Sequence, residues 1–152
     1  MIIPDVNLLL YAYHPAGPAH AKAAQWWSDC LSGAEPVGMA QVVLFAFARI
    51  ATRSVVFDPP LTIAQAAAHI HSWLAQPNVQ LIQPGDGHTA RVLGLLQQTG
   101  TAGNLVTDAQ LAALAIEQHA ILHTADADFL RFPGVRWFNP ITGIGSDRLR
   151  RR

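Results

Sequence analysis

A chain of 152 residues, 51% of them hydrophobic, has the length and the apolar material for one domain around a single core. No apolar run approaches the roughly 18 residues of a membrane span, MIIPDVNLLLYAY lacks the basic start and cleavage site of a secretory signal, and lone Cys30 excludes an internal disulfide and fits a reducing, cytoplasmic compartment. Net charge is zero, yet four of the ten Lys and Arg residues stand in the final RLRRR, so the rest sets six bases against ten acids, a charge of about −4.

In chain order, residues 1–4 read as a first strand, in which Pro4 is awkward because it offers no ladder donor. Residues 6–13 turn into a helix, and 20–31 form another with Ala21, Ala24, Trp27 and Leu31 near one face. The apolar stretch 39–52 reads as one long helix. Pro59 and Pro60 interrupt the pattern, and Thr62 opens a helix reaching about residue 74. VQLI, 79–82, is a strand between Pro77-Asn78 and Pro84-Gly85. A helix over 86–98 follows, then the loop GTAGN and a helix over 107–118 with Thr107 and Gln110 at capping-box spacing. Strands at 120–124 and 135–138 complete the set. Strands separated by helices imply an α/β fold in three layers, a central and mostly parallel sheet flanked by helices.

In such sheets ligands collect beyond the C-terminal ends of the strands. Asp5 follows the first strand, Asp126 and Asp128 follow ILHT, and Asp108 lies in the first turn of the 107–118 helix. Each acid has an ordinary structural use. Asp108 suits a helix N-terminus, Asp5 suits an Asx turn, and Asp126 or Asp128 suits the cap of a short helix at DFLRF. Their joint placement points instead to a pocket of carboxylates, which repel one another unless a cation neutralises them. Oxygen donors without Cys or His at metal spacing favour Mg²⁺ or Mn²⁺ over Zn²⁺. That chemistry suits metal-assisted phosphodiester hydrolysis, with a cation masking the acids of an acidic body against a polyanion.

The segments PDVNLLLYAYHP, AFARIAT, FDPPLTIAQA, NLVTDAQLAALAIEQHAILHTADADF and FPGVRWFNP resemble the PIN-domain family, and within it the VapC toxins of toxin–antitoxin pairs. The resemblance runs over residues 1–141, leaving 142–152 as a basic tail. It implies a Mg²⁺-dependent endoribonuclease with Asp5, Asp108 and Asp126 as metal ligands, and with Asp128 and Asn7 assisting. It further implies RNA as substrate, a VapB-like antitoxin as partner, and a homodimer. One position departs from the pattern: many PIN nucleases carry a Glu where FAFARI has Ala46, and Gln41 is no obvious replacement. That loss keeps open a second reading, a PIN module that binds RNA or an antitoxin without cutting.

Other candidates are less specific. Arg49 and Arg53 are spaced i, i+4 for one helix face that could hold phosphate. The RLRRR tail suits RNA backbone or plain solubility. His123, Trp26, Trp27 and Trp73 read as packed residues. A phosphatase or receiver domain would also gather acids at strand ends, but needs a lysine beside the phosphoryl group. The only lysine is Lys22, in an early helix.

Overall fold

The computed structural model describes residues 1–146. Of the tail expected over 142–152, residues 147–152, RLRRR among them, lie outside the described residues. Six strands form one sheet in the order β3-β2-β1-β4-β5-β6. They are β1 Ile2–Pro4, β2 Val37–Ala40, β3 Val79–Ile82, β4 Ile121–His123, β5 Trp137–Asn139 and β6 Ile144–Gly145. The first five run parallel and β6 pairs antiparallel with β5. Helices α1 Val6–Tyr13, α2 His20–Ser32, α3 Gln41–Ala51 and α4 Ile63–Leu74 pack on one another. Helices α5 His88–Thr99 and α6 Leu105–Glu117 form a second group. Right-handed crossovers explain the split: β1→β2→β3 steps one way along the sheet and β3→β4 returns, so the two sets of helices fall on opposite faces.

Four expectations need correction. The 39–52 stretch is not one helix: its start belongs to β2, every residue of which is buried, and α3 begins only at Gln41. A strand buried on both faces shows no alternation, so its apolar run merges with that of the next helix. Gly38 marks the strand, because a Cβ there would stand 2.9 Å from Met1 Sδ and 3.0 Å from Ile82 Cγ2. Second, α6 starts two residues before Thr107, at Leu105, after Asn104, and no side chain caps it. The GTAGN turn supplies the partners instead, with Leu105 N–H bonding Ala102 O and Val106 N–H bonding Gly103 O. Third, α3 ends at Ala51, so Arg53 lies beyond the helix and does not share a helical face with Arg49. Fourth, the sheet continues past residue 141 through β6, an unforeseen edge strand.

The core beneath α1–α4 is aromatic. Trp73, fully buried, donates its indole N–H to Tyr13 Oη at 2.8 Å and meets Trp27 edge-on with ring centroids 5.5 Å apart. Thr62 begins α4 as expected: its hydroxyl accepts from Gln65 N–H while the Gln65 side chain accepts from Thr62 N–H. No helix among the described residues is long and apolar enough to cross a membrane.

Candidate functional site

The chain leaves β1 toward β2 and leaves β4 toward β5, in opposite directions along the sheet. A crevice therefore opens beyond the C-terminal ends of these two neighbours, the switch point where parallel sheets bind ligands. Register closes it tightly: Pro4 stands opposite His123, and Asp5 N–H donates to His123 O at 2.9 Å. The residues after both strands, Asp5 and Thr124–Asp126, thus meet although 119 positions separate Asp5 from Thr124.

Asp5 is buried and caps α1. Its Oδ1 accepts from Val6 N–H at 2.7 Å and its Oδ2 from the Thr124 hydroxyl, also at 2.7 Å. Thr124, fully buried, joins two acids, because its Oγ1 also accepts from Asp126 N–H at 3.0 Å. Asp126 Oδ1 in turn accepts from Asp128 N–H at 2.8 Å, capping the short 3₁₀ helix Ala127–Arg131. Asn7 Oδ1 receives Ala125 N–H at 3.4 Å and ties the start of α1 to the same turn. Asp108 reaches in from the first turn of α6.

Asp108, Asp126 and Asp128 each offer an oxygen within 4.8 Å of the others. Asp5 is not in this tightest set. It sits deeper, with both oxygens engaged, yet its charge reaches Asp108. Burial lifts the Asp5 carboxyl to about 6; the bonds from Thr124 and Val6 oppose the rise and the Asp126 charge adds to it. Asp108 rises to about 7, first by burial and then by repulsion from Asp5, Asp126 and Asp128. A helix N-terminus ordinarily favours a carboxylate, so at Asp108 desolvation and crowding outweigh the dipole. A set of hard oxygen donors that resists ionising together fits a divalent cation, which removes both the repulsion and the desolvation cost.

Thr124 escaped the sequence reading, although it stands inside TADADF directly after the strand. Buried hydroxyls after a strand are common, and only the Asp5 contact distinguishes this one. Arg49 and Arg53 are both exposed, and neither forms an ion pair with the acids among the described residues. Ala46 is half-buried on α3, while Gln41 is exposed at the first position of that helix. His123 is packed: Trp26 Nε1 donates to its Nδ1 at 3.0 Å, and burial lowers the imidazole to about 4, so the ring is neutral with its proton on Nε2.

An α/β switch point lined by four aspartates defines a class, and the PIN-domain model matches residues 2–135 of this chain. The chain belongs to the PIN-domain family. Among its relatives, the ribonuclease VapC33 of Mycobacterium tuberculosis is 47% identical over 141 residues, 93% of this chain and 99% of that protein. VapC37 of the same organism is 43% identical over 92% of this chain and 97% of its own length. The structure of M. tuberculosis VapC20, a sarcin-ricin loop cleaving toxin, superposes with a TM-score of 0.66 at 18% identity, covering 89% of this chain and 98% of that one. VapBC2 from Rickettsia felis, bound to promoter DNA, gives 0.64 at 19% identity over 91% and 98%.

Proposed function

We propose that the chain is a metal-dependent endoribonuclease, the toxin of a VapBC-like pair acting in the cytoplasm. The convergence of Asp5, Asp108, Asp126 and Asp128 at one strand-end crevice carries the reading, and the kinship with proteins named VapC ribonucleases supports it. Asp108 and Asp126, with Asp5 behind them, would hold Mg²⁺ or Mn²⁺; Asp128 lies at the exposed rim of the group. A divalent ion there supplies a charge that stabilises the reacting phosphate and eases deprotonation of water. The chain's own contribution is position. Thr124 holds the Asp5 and Asp126 ends of the site at a fixed spacing, and Asn7 pins the turn that carries Ala125 to the start of α1.

The proposed partners are RNA as substrate, a second copy of the chain, and a VapB-like antitoxin whose C-terminal segment covers the crevice. A basic side chain on that segment would compete with the metal for the acids. The test is incubation of the purified protein with total RNA, with Mg²⁺ or EDTA, beside Asp5→Ala. Cleavage is expected only with metal and only with Asp5 in place. Cutting that survives EDTA or the substitution refutes the metal mechanism, whereas tight RNA or antitoxin binding without any cutting identifies the non-cleaving module that Ala46 leaves open.

A further inference from the structure

Beside the acids, on the β5 side, lies a pocket of about 270 Å³ that the metal chemistry leaves unused. Thr124 and Asp126 line it, so it is continuous with the acid cluster, and Leu130, Trp137, Asn139 and Ile144 form much of the rest. Leu130 on the 3₁₀ helix and Ile144 on β6 are each 61% exposed, large apolar groups standing in solvent at its edge. Apart from the Asp126 carboxylate, the side chains of the lining that keep a free polar group offer donors. Asn139 Oδ1 is occupied by Ile141 N–H at 2.9 Å, and its amide N–H groups have no partner among the described residues. Thr142 Oγ1, also in the lining, accepts from Ile144 N–H at 3.4 Å and keeps its O–H to give.

Building on the nuclease reading above, we infer that this pocket receives the nucleobase beside the scissile phosphate and prefers a keto base, guanine or uracil. An aromatic wall and apolar rim suit the π-face of any base, which gives affinity without choice. Choice comes from the donors. The O6 of guanine or the O4 of uracil satisfies the Asn139 amide and the Thr142 hydroxyl, whereas the exocyclic amine that adenine and cytosine carry at that same ring position sets donor against donor. A purely apolar peptide anchor would instead strip water from those donors and leave them unpaired, at a cost for each. Continuity with Asp126 adds the geometry: a nucleotide whose phosphate lies on the acids has its base within reach of this pocket.

The experiment maps cleavage ends in total RNA cut by the parent protein and by Asn139→Asp, which retains an oxygen for Ile141 N–H but replaces the donors with an acceptor. The parent is expected to favour G or U at one position flanking the cut by at least about tenfold, the discrimination of one good base-edge contact, and Asn139→Asp to turn that preference toward A or C. Leu130→Ser with Ile144→Ser, both at exposed positions, is expected to raise KM. An unchanged preference in Asn139→Asp, or no preference in the parent, overturns the inference while leaving the nuclease intact. A second readout needs no cutting: the Trp137 indole N–H resonance in Asp108→Asn, titrated with short U-rich or A-rich RNA. If the parent cuts no RNA, a response of Asp108→Asn to U-rich RNA alone keeps the pocket and removes the nuclease. Loss of antitoxin binding in the Leu130 and Ile144 double variant, with base preference unmoved, assigns the pocket to a peptide and overturns the inference.

Discussion

Thr124 shows how much of this site depends on one neutral group. Its hydroxyl is the shared partner of Asp5 and Asp126 N–H, and it offsets part of the burial that lifts Asp5. Thr124→Val keeps the shape but leaves Asp5 Oδ2 buried without that donor, so the carboxyl rises further. The Mg²⁺ concentration for half-maximal cleavage should increase by about 10–100-fold, as for other groups that orient metal ligands, with the circular dichroism spectrum unaltered; an unchanged metal titration would remove Thr124 from the site. Protons give a second test. Asp5 and Asp108 have folded values above the unfolded carboxylate value, so their contribution to stability is complete below about pH 4 and is lost as pH rises through about 6 to 7. His123 acts oppositely: its folded value is lowered to about 4, so its contribution is complete above about pH 6.5 and declines toward pH 4, by on the order of 3 kcal/mol at most. Of these three groups, only the two acids still titrate above pH 6.5. Because Mg²⁺ competes with their protons, it should raise the melting temperature more at pH 8 than at pH 5, and Asp108→Asn should shrink that difference. A metal-induced shift independent of pH would contradict this account.

Helix α6 is the element that brings Asp108 to the site, and its packing is unusual for a helix with one acid to position. Ala109, Ala112, Ala113 and Ala115 are buried together with Leu105, Leu111 and Leu114, so the helix is enclosed nearly all round. Small side chains let it lie close to its neighbours, and a larger one must displace them. Ala112→Leu should therefore destabilise the fold by about 1–3 kcal/mol, seen as a lower denaturant midpoint at unchanged slope; no loss of stability would mean the helix has room to spare. The same enclosure explains what the sequence disclosed and what it withheld. VQLI and the Thr62 cap were legible because turn residues and a capping pair are local signals. The β2 strand was not, since complete burial erased its alternation, and β6 was not, since two residues carry no period at all. The start of α6 was misplaced because backbone turns rather than Thr107 serve its first N–H groups. Three of the acids announced themselves by standing at strand ends. Their link through Thr124 depends on the β1–β4 register, which is a tertiary fact.

At the scale of the whole molecule the difficulty is charge. Without the final RLRRR the chain sets six bases against ten acids, and four aspartates are gathered at the crevice proposed to bind a polyanion. A divalent ion neutralises the crevice locally, but it does nothing for the approach of RNA from a distance, where net charge sets the field. The four arginines of 148–152 are the largest concentration of positive charge in the sequence. If they meet phosphates, each neutralised phosphate contributes about 0.7 to the slope of log affinity against log salt for a single strand. Removing 148–152 should then weaken RNA binding most at low salt and reduce that slope by about 3, measured by fluorescence anisotropy with Asp108→Asn to prevent cutting. Metal dependence of cleavage at saturating RNA should persist in the truncated chain, because the acids and Thr124 are untouched. An identical slope with and without the tail would show that RNA reaches the acids without help from these arginines, and the cations that mask them would have to come from the metal and the partner alone.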